Sequence, residues 1–387
     1  MKISILLESF QPEYWGGRET RWHYLIDELS HLADLTVFAD FSRCPKEIAF
    51  PNPLVNFVDI GPLPAMYNAR GTRSIKHALI FTLRSFKLLS RNVDVILTDQ
   101  TPLISLPVLR LISLASRSQL SITWHEVWGV QTWLKYSKVS GLIGVFIQTI
   151  GIMASKNIVV PSLRVKQDLQ SKALSKSAIV IPNGLSQNYS LKTTKTESSL
   201  NGSVKLLFVG RLIKHKNCDF LIDIMNYANR VGKNWHLTIV GQGPMQNQLH
   251  ALVEKYSLLN HIEFKSNLSQ EELSIEYSSS DLFVFPSQRE GFGISVAEAI
   301  SHNLPVIVYD IPENASIALL ERMSNSSKMS NLNNVVWVEE ISKLLGPRIV
   351  QSDLEQRNFL TWSKVSKDYF EFLNSVVKND RPQNSQS

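Results

Sequence analysis

Short apolar runs alternate with stretches of helical period through most of the chain, the pattern of βα units that build a parallel sheet. In the first half the runs predict strands at Lys2–Leu7, Leu35–Ala39, Asn56–Ile60, Val93–Thr98, Gln119–Trp124, Asn157–Pro161 and Ile179–Ile181. The polar stretch Ser186–Gly202 then offers almost no core-forming side chain and reads as a linker. Beyond it the alternation restarts, with strands predicted at Val204–Val209, His236–Val240, Ile262–Phe264, Leu282–Pro286, Pro305–Tyr309 and Val335–Val338. The expected fold class is α/β: two Rossmann-like domains, residues 1–185 and 204–350, joined by a linker over 186–203 and facing each other across a cleft. Ligands of such sheets bind beyond the carboxyl ends of the strands, so the loops that follow strands are where chemistry is sought.

The helical segments carry further expectations. Arg18–Leu32 is amphipathic and follows the first strand. Val139–Ser155 is uncharged but shorter than a bilayer span and interrupted by Gly141, Gly144, Gln148 and Gly151, so it is predicted to be a buried helix. Ser324–Asn334 is expected to be a loop, residues 351–378 an amphipathic helix and residues 379–387 a disordered tail.

Composition narrows the classes. At 387 residues with 44% apolar and 19% charged side chains, the chain is an ordinary globular protein too long for one core. Its two cysteines, Cys44 and Cys218, lie far apart outside any Cys/His cluster, which argues against a disulfide framework or structural zinc and suits a reducing, cytoplasmic setting. The five-residue apolar run before Glu8 reads as a strand rather than a leader.

Charge is uneven. Residues 1–190 hold 20 Lys/Arg against 13 Asp/Glu, or +7, whereas the remainder holds 20 against 21, or −1. A basic half invites an anionic partner, although a solvated basic surface is an equal reading. No aromatic–basic reader motif is present, so nucleic acid is not an expected partner. The segment Thr72–Arg91 mixes Arg73, Lys76, Arg84 and Lys87 with Ile80, Phe81 and Phe86, which suits either peripheral contact with an anionic membrane or an ordinary surface helix.

Four segments carry candidate chemistry. In Pro286–Ile300 a buried strand gives way to a loop with Gly291 and Gly293 and a helix starting near Ile294; Glu290 in the loop and Glu298 about a turn into the helix can face one ligand. In Phe208–Asn217, Arg211 leaves a strand end and Lys216 follows five residues later, a fork and a point charge suited to a pyrophosphate. Gly16-Gly17 precedes the first helix, where backbone N–H groups can meet a ligand or simply make a tight turn. Ile122–Gly129 brings His125 and Glu126 to a strand end, where His125 can bond a hydroxyl, handle a proton or serve structure alone; Trp124 and Trp128 would wall the site or fill core.

Together these residues resemble the retaining GT-B glycosyltransferases, in particular family 4 (glycosyl transferases group 1). Glu290 and Glu298 match its E-x7-E element, and GGRE, WHE, IVVPS, IPNG, GRL with Lys216, and GQGP occur in the family's order over nearly the whole chain. The resemblance implies a retaining, metal-independent transferase that moves a hexose or N-acetylhexosamine from a nucleotide-diphosphate sugar to a glycan or lipid-linked acceptor. It assigns Arg211 and Lys216 to the leaving diphosphate, Glu298 to the ribose, and Glu290 with the backbone around Phe292, Gly293 and Ile294 to the sugar. His125 would lie near sugar and acceptor, and the final helix would cross back to the first domain. No cofactor is implied, and no Asp-x-Asp motif occurs. Departures are Asn303 and Ser266 where glycines are usual, and a glycine-poor stretch after Asp310. A dehydrogenase reading lacks its G-x-G-x-x-G, because Gly241-Gln-Gly243 continues Pro-Met-Gln. A catalytically silent nucleotide-sugar-binding or partner subunit is the remaining alternative.

Overall fold

The computed structural model describes residues 1–10, 16–44, 52–67, 73–90, 92–136, 138–171, 177–185, 203–321, 323, 325–345 and 361–380. The chain forms two compact units. Unit 1 comprises Met1–Tyr14, Arg18–Gly184 and Trp362–Ser387, and unit 2 comprises Trp15–Gly17 and Leu185–Thr361.

Unit 1 is built on a seven-stranded sheet of order β3-β2-β1-β4-β5-β6-β7. Its strands are β1 (Lys2–Leu6), β2 (Asp34–Ala39), β3 (Val55–Asp59), β4 (Val95–Asp99), β5 (Gln119–Thr123), β6 (Asn157–Val160) and β7 (Ile179–Val180). All neighbours pair in parallel. β4 is buried along its length, as a strand covered on both faces must be. The helices are α1 (Gly17–Ser30), α2 (Ile75–Arg84), α3 (Ser105–Ala115), α4 (Val130–Tyr136), α5 (Lys138–Met153) and α6 (Leu163–Ser171), with a 3-10 turn at Ser85–Ser90. α1 buries Trp22, Leu25, Ile26 and Leu29, one stripe at i, i+3, i+4 and i+7.

Unit 2 holds a six-stranded sheet of order β10-β9-β8-β11-β12-β13, again parallel throughout. The strands are β8 (Val204–Val209), β9 (Trp235–Val240), β10 (Ile262–Lys265), β11 (Leu282–Phe285), β12 (Val306–Tyr309) and β13 (Ser326–Met329). The helices are α7 (Cys218–Arg230), α8 (Gln246–Lys255), α9 (Gln270–Ser279), α10 (Ile294–Ser301) and α11 (Asn334–Leu344). Counted within each unit, both sheets share the order 3-2-1-4-5-6, so each has a topological switch point: between β1 and β4 in unit 1, and between β8 and β11 in unit 2.

The last helix, α12 (Trp362–Asp380), packs on unit 1 as expected of a returning helix. The Tyr369 hydroxyl meets Thr123 Oγ1 at 2.8 Å, and Trp362 stacks on Tyr24 at 5.4 Å between ring centroids. Arg21, fully buried, donates to Asn183 Oδ1 (2.6 Å) and to the carbonyls of Ile181 and Pro182, and lies 5.7 Å from the Tyr369 ring. Gly184 lies where a Cβ would come within 2.7 Å of the Trp362 backbone, so the IPNG segment seats the start of α12.

Three expectations need correction. Val335–Val338 is helical, within α11: Asn333 caps its start by accepting from the Val335 and Val336 N–H groups, and Trp337, Val338 and Ile341 form its buried stripe. The final strand among the described residues is instead Ser326–Met329, inside the expected loop and paired with β12. The helix over 138–153 is not buried all round, since Leu142, Ile143, Phe146 and Met153 are exposed. The linker 186–202, the segment 346–360 and the tail 381–387 lie outside the described residues.

Candidate functional site

Unit 2 gathers its candidate residues at the switch point. Arg211 follows β8 by two residues, and the loop beneath it is set by close backbone approach: Gly241 has φ +148°, and a Cβ there would lie 2.0 Å from the Gly210 oxygen. Leu212 N–H donates to the Gln242 oxygen (2.9 Å) and Met245 N–H to the Leu212 oxygen (3.1 Å), so the GRL and GQGP segments form one layer.

Lys216 ends the 3-10 turn Lys214–Lys216. Asn217 then turns the chain with φ 52°, and its Nδ2 donates to the Pro286 oxygen at 2.8 Å. Gln288 N–H donates to the His215 oxygen at 2.8 Å, fastening this turn to the loop after β11. Across that seam Lys216 Nζ forms an ion pair with Glu290 Oε1, and it lies 4.9 Å from the Phe285 ring centroid.

The Glu290 loop is fixed from the other side by the stretch after Asp310. Glu290 N–H donates to the Glu313 oxygen and Ala315 N–H to the Glu290 oxygen, both at 3.0 Å. Asn314, buried, donates to the Ser287 (3.1 Å) and Tyr309 (3.0 Å) oxygens while accepting from Ser316 Oγ (2.6 Å). Gly291 and Phe292 are half-buried in the loop. Of the two loop glycines, Gly293 is the one with positive φ (+88°); it caps α10 ahead of Ile294, where a Cβ would meet Ser316 Cβ at 2.4 Å. Asn303 takes the left-handed turn expected of it, with φ 63°.

Glu298, one turn into α10, is 7% exposed and accepts from the Tyr277 hydroxyl of α9 at 2.8 Å. His215 is pushed down to about 3 by burial first, then by Arg289, Lys216 and Arg211. It is therefore neutral at neutral pH and reports three cations around one point. His215, Arg289 and Asn314 were not read from the sequence as site residues; a second cation beside Glu290 was the available signal for Arg289.

Unit 1 builds a second polar cluster, at its own switch point. Glu8, two residues beyond β1, is contacted by Arg73 Nη1 (2.6 Å), Arg18 Nη1 (3.1 Å) and His77 Nε2 (3.3 Å). Burial would raise its carboxyl, but Arg73, His77 and Arg18 together hold it well below the usual carboxylate range. Arg18 also reaches Glu19 Oε1 (2.8 Å), whose carboxylate accepts from Ser9 Oγ (2.6 Å). His125, after β5, has Nε2 2.7 Å from Asp99 Oδ1 at the end of β4. Gln100 Oε1 accepts from the backbone N–H of His125 (2.7 Å) and of Glu126 (3.1 Å). Trp124 is fully buried in the core, whereas Trp128 packs on Trp133 at 4.7 Å and is bracketed by Gln148. Gly16 lies in the bend before α1 and Gly17 opens that helix.

Residues 192–322 match the family model for glycosyl transferases group 1. In structure, the chain is similar to sucrose-phosphate synthase from Thermosynechococcus elongatus, with a TM-score of 0.70 at 15% identity over 97% of this chain and 94% of that one. Anabaena HepE in complex with UDP and glucose aligns with a TM-score of 0.67 at 17% identity over 98% of both chains. The fold is GT-B. Among curated proteins, an uncharacterized glycosyltransferase of Haemophilus influenzae is 29% identical over 105 residues, 27% of this chain and 29% of that protein. The aligned stretches thus span less than a third of the first curated relatives' lengths. The GT-B fold accounts for the repeated sheet order.

Proposed function

We propose that this chain is a retaining, metal-independent glycosyltransferase whose unit 2 binds a nucleotide-diphosphate sugar. The observation that carries the reading is the Lys216–Glu290 ion pair at the unit 2 switch point, next to His215, whose imidazole also feels Arg211 and Arg289. A diphosphate competes with Glu290 for the Lys216 ammonium, and the fixed cations neutralise charge developing on the leaving group. Freed from Lys216, the Glu290 carboxylate accepts hydrogen bonds from sugar hydroxyls. Glu298, presented by Tyr277, suits the ribose hydroxyls, and the N–H groups of the Phe292–Ile294 turn suit phosphate or sugar oxygens. His125 of unit 1 serves the acceptor.

A lipid-linked acceptor is the finer reading. Ile75, Leu79, Leu83, Phe86, Leu111, Leu114, Leu142, Ile143 and Phe146 are exposed on α2, the 3-10 turn after it, α3 and α5, elements whose sequences contain no Asp or Glu. Lys76, Arg84, Lys87 and Arg110 lie among them, a composition suited to an anionic bilayer surface. No helix among the described residues is long and apolar enough to cross a membrane. Co-sedimentation with anionic vesicles but not neutral ones is expected, and loss of binding in Phe146→Glu would support this face; binding to neither vesicle would contradict it. The transfer reading itself is tested by screening UDP-, GDP- and ADP-sugars for thermal protection and nucleoside-diphosphate release.

A further inference from the structure

Asp99 is 5% exposed and holds two groups at once. Its Oδ1 lies 2.7 Å from His125 Nε2, and its Oδ2 accepts from the Trp22 indole N–H at 2.7 Å, with Arg18 Nε 3.6 Å from that same oxygen. An ionised carboxylate accepts only, so the imidazole nitrogen facing it carries the proton. In the neutral ring the proton is then on Nε2, and Nδ1 presents a lone pair. Gln100 fixes the His125 backbone through the two N–H bonds described above, and the Asp99 contact is what a turned ring would lose.

We propose that Asp99 is a positioning residue that locks His125 in its Nε2–H tautomer, making Nδ1 an acceptor for a hydroxyl of the acceptor substrate. The inference rests on the reading above, in which His125 serves the acceptor. It excludes the opposite use of the neutral ring, as a donor from Nδ1. The ligand group it selects is a hydroxyl that can donate, not a carbonyl or phosphate oxygen.

Asp99→Asn separates tautomer from shape. The Trp22 N–H and Arg18 demand an oxygen on their side, which turns the amide NH2 of the variant toward His125. That amide donates to Nε2, the ring proton moves to Nδ1, and the acceptor becomes a donor with the ring still in place.

The test is a long-range 1H–15N correlation spectrum of the full chain labelled at histidine, with the His125 signals assigned by their loss in His125→Gln. The wild type is expected to show an unprotonated Nδ1 and a protonated Nε2, and Asp99→Asn the reverse. Transfer by Asp99→Asn should fall in kcat by about 10- to 100-fold, with KM for the nucleotide-sugar within about twofold. A wild-type Nδ1–H tautomer overturns the proposal whether or not any variant folds. A reversed tautomer with unchanged kcat overturns the positioning role while leaving sugar transfer intact. If the wild type transfers from no donor, the reading of function fails and takes the positioning role with it, while the spectra still decide the tautomer.

Discussion

The ammonium of Lys216 is bound by the carboxylate of Glu290, seventy-four residues later in the chain, and both side chains are largely shielded from water (13% and 12% exposed). Each thereby stabilises the other until an anion arrives. The pair predicts opposite effects of removing its two members. Lys216→Ala should weaken nucleoside-diphosphate binding and lower transfer by about 10²- to 10³-fold. Glu290→Gln should lower transfer comparably, yet bind the nucleoside diphosphate at least as tightly, because the competing carboxylate is gone. Calorimetry on both variants checks the contrast; equal weakening by both would argue that Glu290 does not compete for the ammonium.

Gly293 is expected to resist any side chain. Gly293→Ala would place a Cβ 2.4 Å from Ser316 Cβ and force a non-glycine residue to φ +88°. A loss of about 2 kcal/mol or more is expected in urea unfolding. Adding Ser316→Gly should not restore stability, because it relieves the clash but keeps the dihedral strain and deletes the Ser316 Oγ–Asn314 bond.

His215 predicts a pH dependence of known sign. Its folded pKa lies near 3, against an ordinary value of 6.5, so between these limits the unfolded chain holds a proton the folded chain does not. Stability therefore falls as pH falls through 6.5 and below, by at most ~1.4 kcal/mol per pH unit from this group. His215→Gln should be less sensitive between pH 6.5 and 5. Saturating nucleoside diphosphate should flatten the wild-type curve only in part, because added negative charge offsets the three cations but leaves the burial that is the larger cause.

The returning helix offers a check outside the site. Tyr369→Phe deletes the hydroxyl that meets Thr123 and should cost about 1 kcal/mol in denaturant unfolding. Sugar transfer per folded molecule is expected to stay near wild type.

The alternation of apolar runs makes the parallel sheets legible, because strands covered on both faces are largely apolar: Leu282–Phe285 is apolar and buried throughout, and Val95–Asp99, also buried throughout, turns polar only at its Thr98–Asp99 end. The same logic fails at Val335–Val338, where Trp337 and Val338 join Ile341 in a helix stripe, and the Asn333 cap just before it is the helix cue. Ser326–Met329 was invisible for the converse reason: an edge strand paired on one side needs no apolar pattern. Of the candidate residues, Lys216, Glu290 and Glu298 each lie in a short segment of recognisable spacing, which is why the sequence alone nominates them. It does not nominate Asp99 and Trp22, since their link to His125 depends on β4 lying beside β5 and on where α1 crosses the sheet. Asn314 lay in a stretch marked only for its missing glycines, yet its side-chain bonds brace the Glu290 loop.

The most direct test of the central claim is nucleoside-diphosphate release from a panel of UDP-, GDP- and ADP-sugars, measured for the wild type, Lys216→Ala and Glu290→Ala with a polyprenyl- or glycan-linked acceptor mixture. The account predicts release from one nucleotide class by the wild type and a loss of at least about 100-fold in both variants. Release at the wild-type rate by both variants would contradict it.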